Sequence, residues 1–339
     1  MSPDTPFPFS EVVPMEPEPC RDPLESRSHI YQVKWDGVRM VAFVHNGAVR
    51  LQNRRLRDRT GRYPELAELG QVIAGSSAII DGEVVAFWKG KPSFHHVMKR
   101  DAATGSFSEG ALVKAQPVVF LAFDILAHNG DDLRNRPLLE RYSILREVLP
   151  LGKHCRVVEN CADGTALLAA TKEHGLEGIV AKERSSPYIP GGKSPHWLKI
   201  KNFESQICVI GGYSLKGGRF SALLLGVRVG GSLVFVGAVR TGLTTTQIDQ
   251  LMEVLPGLHR EEPSLIGIDS NRSENLRWIE PGPAVLVRFL EWTPHLRLRS
   301  PIFEGFVAAS PDDYSLTEIP DRLEPDVVAA LTSLRGDGI

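Results

Sequence analysis

The stretch "YQVKWDGVRM", Tyr31 to Met40, is a strand-like run that closes on a cation. Lys34 is followed at once by Trp-Asp-Gly and then by Arg39. An ammonium leaving the end of a strand, with a glycine close behind it, can approach a bound phosphate closely. To act as a nucleophile it must first lose its proton. That means lowering a reference pKa of about 10.4, which burial, neighbouring cations or a metal can do. A four-residue match of this kind also describes many surface lysines before turns, so its weight depends on the rest of the chain.

Around this stretch the pattern is strand-rich. "MVAFVHNGAVRLQNR" places two apolar runs on either side of Asn46-Gly47, a hairpin signal. "SAIIDGEVVAFW" and "PVVFLAFDILAHNG" read as buried strands, and "LEGIVAKER" and "PHWLKIKNF" as two more. "YPELAELGQVIAG", "RPLLERYSILREVLP" and "TALLAATKEHG" read as helices. Strands and helices mix without a regular βαβ repeat, which predicts an α+β fold with antiparallel sheets. After Phe203 the character changes. "SQICVIGGYSLKGGRFSALLLGVRVGGSLVFVGAVRTG" is short strands with glycine turns; a helix ("TTTQIDQLMEVLPG") and the strand "PAVLVRFLEWT" follow. That content predicts a small barrel of the OB type. The expected organisation is an extended N-terminal segment over 1–28, a first domain over 29–203, an OB-fold domain over 204–312, and a tail over 313–339 with a short helix, "EPDVVAALTSL".

The 339 residues suffice for two domains with real cores. No apolar run approaches membrane-spanning length, and the acidic, proline-rich N-terminus has no signal-peptide core. A cytoplasmic location without membrane attachment is therefore expected. Cys20, Cys155, Cys161 and Cys208 form no C-x-x-C pair, which argues against a zinc site or disulfide framework. The formal charge is −2, so any nucleic-acid surface has to be a local patch. The sharpest patch is "RLQNRRLRDRTGR", Arg50 to Arg62, where Arg50, Arg54, Arg55, Arg57, Arg59 and Arg62 face one acid, Asp58. Lys216 and Arg219, in the glycine turn "SLKGGRF", are weaker candidates. Such contacts to phosphate are sequence-independent and salt-sensitive.

Beyond Lys34 come "NRR" at Asn53–Arg55, "DGEVVAF" at Asp81–Phe87, "FLAFDIL" at Phe120–Leu126, "EGIVAKE" at Glu177–Glu183 and "WLKIKN" at Trp197–Asn202. In this order and spacing the chain resembles the ATP-dependent DNA ligases of the covalent nucleotidyltransferase superfamily. It is most like the ligase domain of bacterial ligase D, the end-joining type, over roughly residues 13–310. The resemblance implies a nucleotidyltransferase (adenylation) domain followed by the OB domain. It implies that Lys34 attacks the α-phosphorus of ATP and carries AMP as a phosphoramidate. Arg39 and Arg54 would hold ribose and phosphate, and Phe123 would stack on adenine. Glu83 and Glu177 would be the acidic pair, one on the ribose side and one serving Mg²⁺ or Mn²⁺. Lys199 and Lys201, alternating on one strand, would neutralise phosphates from the same face. Lys182 would approach phosphate or cap its strand. Tyr188, Lys193 and Trp197, in "SPYIPGGKSPHW", would be structural or face DNA.

Two positions depart from the family pattern. Gln32 stands where a glutamate usually faces the adenine; an amide oxygen still accepts from the adenine amino group. Val307 to Ser310 replace the basic residues of the last motif in "LRLRSPIFEGFVAAS", while Arg299 stays in phase. The chain has no room for the extra domains of larger relatives, so the expectation is a minimal, monomeric ligase core, standing alone or part of a longer protein. Its expected substrate is nicked or broken duplex DNA, in repair and end joining, with bacterial Ku and an end-joining polymerase as partners. The alternatives are an RNA ligase, a capping enzyme, and a nonenzymatic DNA-end-binding protein descended from a ligase. Substrate sugar is not readable from these motifs.

Overall fold

The Asn46-Gly47 turn sets the first register of the fold. In the computed structural model, which describes residues 10–21, 26–88, 90–102, 111–268, 275–320 and 323–336, both turn residues have positive φ, 45° and 82°. A two-residue hairpin turn that follows the strand twist needs this geometry. Residues 1–9 and 22–25 of the N-terminal segment and residues 321–322 and 337–339 of the C-terminal tail lie outside the described residues. Contacts divide the chain into two units, Met1–Asn202 and Phe203–Ile339.

The first unit holds strands β1 (Glu16–Pro19), β2 (His29–Val33), β3 (Val38–His45), β4 (Ala48–Asn53), β5 (Ser77–Trp88), β6 (Lys91–Pro92), β7 (Val118–His128), β8 (Asp131–Asp132), β9 (Cys155–Val157), β10 (Gly178–Glu183) and β11 (Lys193–Lys201). Its helices are α1 (Leu69–Val72), α2 (Phe94–Ala102), α3 (Ala111–Ala115), α4 (Leu138–Val148) and α5 (Gly164–Glu173). One sheet runs β4-β3-β5-β7-β8, with β6 on β5 and β9 on β7; the other runs β1-β11-β10-β2. Pairing is antiparallel except for β1 on β11 and β9 on β7, which are parallel. Part of the N-terminal segment is thus an edge strand of the second sheet.

Side-chain alternation sorts each strand between two apolar layers. On β3, Met40, Ala42 and Val44 join the core beneath the helices, while Val41 and Phe43 face the second sheet. The layer between the sheets is completed by Ile30, Ile79, Leu126, Tyr188 and Trp197. On β10, Ile179 and Ala181 turn outward to Leu167 and Leu168 of α5. Val180 and Lys182 are left facing the first sheet.

The segment "YPELAELGQVIAG" is not one helix. A 3₁₀ stretch, Pro64–Glu68, precedes the single turn of α1. The Gly47 carbonyl lies where a Cβ on Gly70 would sit, so the hairpin turn crosses the segment at close range and no longer helix is built there. Helix α2, which sequence periodicity does not announce, packs Val97 into the same core.

The second unit holds β12 (Glu204–Lys216), β13 (Arg219–Val229), β14 (Ser232–Val239), β15 (His259–Arg260), β16 (Leu276–Ile279), β17 (Ala284–Phe289) and β18 (Ile302–Val307), with α6 (Thr245–Val254) and α7 (Pro325–Gly336). Strand β12 pairs with β13 along one edge. Its other edge is divided between β17, from Glu204 to Val209, and β16, from Gly212 to Ser214. One long, bulged strand serving two partners curls the sheet around a single core that includes Leu225, Val236, Val287 and Phe289. Helix α6 begins with a full capping box, Thr244 with Gln247. This is the OB-type barrel. Among the described residues, no helix is long and apolar enough to cross a membrane.

Helix α4 is tied to β7 by charge. Arg141 and Asp124 are both 0% exposed and meet through two hydrogen bonds of 2.8 Å. Arg141 also donates to the carbonyls of Arg136 and Ser186. Removing one member leaves a buried charge uncompensated, which typically costs about 3–5 kcal/mol. Arg141→Leu should therefore destabilise the protein by an amount of that order in urea unfolding. A loss of only a few tenths would mean that Asp124 is not buried as a charge.

Candidate active site

The C-terminal end of β2 borders a cleft between the two sheets of the first unit. Gln32, Val33, Lys34 and Trp35 form one wall and Val180, Lys182, Trp197 and Lys199 continue it. Arg39, Glu83 and Phe123 face them, and Pro14, Glu16, Pro17 and Arg54 stand at the rim. Two glycines permit this approach. A Cβ on Gly37 would collide with the Val84 carbonyl, and one on Gly178 with the Ile200 carbonyl. Gly37 brings β3 against β5 beside Glu83. Gly178 seats β10 on β11, and its carbonyl accepts from the Lys34 backbone N–H at 2.9 Å.

That seating places Glu177 between two ammonium groups. Lys34 Nζ is 2.5 Å from one carboxylate oxygen and Lys201 Nζ is 2.8 Å from the other. Burial pushes the Glu177 carboxyl up, but Lys34 and Lys201 outweigh it and hold the group below the ordinary carboxylate range. Among the described residues Glu83 has no such bridge. Burial raises its pKa to about 8, against the pull of Arg39 and Lys34. Lys199 is shifted down by burial and by the nearby Lys201 and Lys34. The mouth of the cleft therefore concentrates three lysines and two carboxylates around one strand end.

The floor is aromatic and charged at once. Phe123 meets Trp197 edge-to-face, with ring centres 6.2 Å apart. Lys182 is 2% exposed, with its Nζ 4.3 Å from the Phe123 ring centre and 4.0 Å from that of Trp197. Burial lowers its pKa to about 7. It neither caps its strand nor sits at the mouth with the other lysines. Arg39 lies 4.4 Å over Phe123, and its Nε and Nη2 both donate to Asp81 at 2.6 Å. Tyr188 donates to the same Asp81 at 2.6 Å. Arg39 therefore reaches the cleft, but its fork is held by a buried acid.

Gln32 and Phe123 line the cleft, and Arg54 stands at its rim, paired with Glu16 at 2.5 Å. Lys201 reaches the site through Glu177. Tyr188 and Trp197 are 2% and 1% exposed, so they are structural and do not face DNA. Lys193 is exposed at the start of β11.

The arginine segment divides. Arg54, Arg55 and Arg57 are exposed. Arg50 lies over the Phe43 ring at 3.9 Å and donates to the Ser10 carbonyl, and Arg59 is half-buried beside Asp101 at 3.4 Å. Those two guanidiniums have partners within the protein. Lys216 and Arg219 are exposed and opposite each other across the β12–β13 turn. Arg299 is paired with Glu291 at 2.7 Å. Val307 ends β18, and Ser310 enters a turn closed by Asp313.

Sequence reasoning missed Glu16, Asp81 and Asn160. Glu16 sits in a proline-rich run with no periodicity, and Asp81 reads as an ordinary strand position before Gly82. Asn160, whose Oδ1 takes the Gln32 amide at 2.8 Å, lies in a loop.

Comparison with known proteins bears on this site. Residues 14–201 match the family model described as ATP dependent DNA ligase domain, and residues 216–307 match ATP dependent DNA ligase C terminal region. The multifunctional non-homologous end joining DNA repair protein LigD of Mycobacterium tuberculosis is 34% identical over 289 residues, covering 83% of this chain and 36% of that protein. The chain thus spans about a third of the length of that relative. The SPbeta prophage-derived DNA ligase-like protein LigB of Bacillus subtilis is 28% identical over 298 residues, covering 87% of this chain and 98% of that one. Among solved structures, a mycobacterial DNA ligase D complexed with ATP and MES is 30% identical with a TM-score of 0.53, covering 93% of this chain and all of that one.

The buried Lys182 makes stability depend on pH. Its folded-state pKa, about 7, lies below the unfolded value of 10.5. The folded state therefore disfavours the charged form, and stability present above pH 10.5 is lost as pH falls toward 7. Lys182→Met should remove this loss. Its advantage over the parent should be small at pH 9.5 and grow to a few kcal/mol by pH 6.5, as read by urea unfolding. Parallel pH profiles for the two proteins would contradict burial of the Lys182 charge.

Proposed function

The chain belongs to the ATP-dependent DNA ligase family, and from that membership we propose that it seals 5′-phosphate to 3′-hydroxyl ends of duplex DNA through AMP carried on Lys34. Lys34 attacks the α-phosphorus of ATP and displaces pyrophosphate. The AMP then passes to the 5′-phosphate of the broken strand, and the 3′-hydroxyl displaces it as the phosphodiester forms. The observation that carries this reading is the Lys34–Glu177–Lys201 bridge at the mouth of a cleft floored by Phe123.

Each cleft residue has a part in that chemistry. Phe123 and Val180 flank the base, and Gln32 faces its edge. Glu177 keeps the Lys34 amine at the strand end and lies within reach of the proton it must release. Lys199 and Lys201 meet the phosphate charge. Arg54, with Glu16, stands where ribose and phosphate enter. Arg39, held by Asp81, supports the Phe123 ring from below and turns only its remaining nitrogen to ligand.

Mg²⁺ or Mn²⁺ is the metal the family implies, and the donor set fits one. Glu83 is a buried carboxyl whose pKa burial raises to about 8, and Glu177 lies near enough to add to that rise. Two carboxylates with phosphate oxygens and water make an ordinary shell for a hard cation. Bound there, such an ion would draw charge from the phosphates of ATP.

The exposed Arg54, Arg55 and Arg57 provide a basic edge for the DNA backbone, with Lys216 and Arg219 as a second contact. The names of the mycobacterial relatives speak of non-homologous end joining and DNA repair, which supports a part in rejoining broken ends; bacterial Ku and an end-joining polymerase as partners, at the nucleoid, belong to the same proposal.

Nick sealing by the purified protein with ATP and a divalent cation tests the reading as a whole. Lys34→Ala should abolish both the AMP adduct and sealing with ATP, yet still close a nick whose 5′-phosphate already carries AMP. An acid-labile AMP adduct on the variant would remove Lys34 from its role.

Charge reversal in the basic edge, Arg55→Glu with Arg57→Glu, should weaken DNA binding more than self-adenylylation. The slope of log affinity against log salt should fall by about 0.9 for each DNA phosphate that the variant no longer neutralises. An unchanged slope and affinity would return this segment to an ordinary solvated loop.

A further inference from the structure

Strand β5 ends in two neighbouring aromatics, Phe87 and Trp88, that the ligation chemistry does not use. Phe87 is 38% exposed and Trp88 50%. Alternation sends them to opposite faces of the sheet. Phe87 follows Val85 to the cleft side, where its ring meets Trp35 edge-to-face with centres 6.2 Å apart. Trp35 lines the cleft directly after Lys34. Trp88 follows Ala86 to the other side, toward α2.

The Trp88 indole is held flat. It lies on the His96 imidazole with ring centres 4.5 Å apart and 15° between the planes. His96 is fixed in turn. Its Nδ1 is hydrogen-bonded with Ser93 Oγ at 2.8 Å, and His95 stands edge-on to its ring at 5.6 Å. Ser93 is tied back to β5, donating its backbone N–H to the Ala86 carbonyl at 2.8 Å. Val97, next to His96, anchors α2 in the core. With one face on His96 and half of its surface open, the indole turns its opposite face outward.

Shape and charge decide what fits that face. A flat ring is best covered by another flat ring, and a nucleobase is one. A base inside a duplex has both faces stacked on its neighbours, whereas an unpaired base has a face to offer. Among the described residues from Ala86 to Ala102, the exposed charges are both positive. Lys91 lies opposite Trp88 in the β5–β6 pair, and Lys99 stands one turn after His96 on α2. The acid of this segment, Asp101, is buried. Two lysines attract a polyanion and repel a guanidinium or ammonium, the other groups that lie well on an indole.

Resting on the DNA-joining reading above, we propose that Trp88 is a stacking platform for an unpaired base in a single-stranded extension of the DNA end, with Lys91 and Lys99 meeting the flanking phosphates. The platform sits on the edge that runs from Lys34 through Trp35 and Phe87. Stacking accepts any base, so the preference it adds is for single-stranded DNA beside the break and not for a sequence.

The test is binding of the full chain, read by anisotropy, to a labelled blunt duplex and to the same duplex carrying a short thymidine extension on its 3′ or its 5′ strand. Trp88→Ala should weaken binding to an extended duplex at least about five-fold, the lower end for one stacked base, and leave binding to the blunt duplex in place. The slope of log affinity against log salt should not change, because an indole releases no counterion. Trp88→Phe should keep most of the affinity, and Trp88→Leu, apolar but without a ring face, should not. On adding the extended duplex, wild-type fluorescence should fall further than that of Trp88→Phe. Equal losses on both duplexes, no loss on either, or Trp88→Leu binding as tightly as Trp88→Phe would overturn the inference. Sealing of a plain nick by the wild type with ATP is scored separately. Its failure would overturn the ligation reading, whereas loss of the extension effect alone would overturn only the platform.

Discussion

The Glu177 carboxylate, shared between Lys34 and Lys201, is the contact on which the site depends. It is 7% exposed and takes one ammonium on each oxygen. Its position follows from backbone rather than from side-chain choice. Gly178 lets β10 lie tight on β11, and the Glu177 carbonyl accepts from Asn202 N–H at 2.9 Å just past the end of β11. A larger residue at 178 would push the acid away from both lysines. Lys34, Glu177 and Lys201 are thus held together by one close strand contact.

Beneath that mouth lie paired buried charges. Asp81 holds Arg39 and Tyr188, and Asp124 holds Arg141. These pairs balance one another and leave Lys182 as an additional cation between two aromatic rings. Buried pairs contribute little net stability, but they fix side chains in one arrangement when every member is satisfied. Here Arg39 and Lys182 both lie against the Phe123 ring and hold it in place.

Much of this was legible in the chain. The strands on either side of Asn46-Gly47, the helix of α4 and the curled sheet after Phe203 all follow from alternation and turn chemistry. Lys34, Glu83, Phe123, Glu177 and Lys199 were readable because short motifs recur in a fixed order. What was not legible depends on residues far apart in sequence. Whether an arginine is free is decided by its neighbours in space: Arg50 lies on Phe43 and Arg59 beside Asp101, while Arg55 and Arg57 stay open. Lys182 alternates with Val180 and so points to the cleft, but its burial depends on Trp197 from the next strand. Asn160 sits in a loop without a motif and reaches Gln32 only because Cys161 is clamped to Tyr31. The break of "YPELAELGQVIAG" into a 3₁₀ stretch and a short turn likewise reflects Gly47, not local propensity.

Every role proposed for the cleft requires Lys34 to be the residue that carries AMP. Peptide mapping by mass spectrometry of the wild-type protein, after incubation with ATP and Mg²⁺, tests this most directly. The expected result is an acid-labile AMP on Lys34 and on no other lysine of the cleft. An adduct on Lys182, Lys199 or Lys201, or none at all, would contradict it.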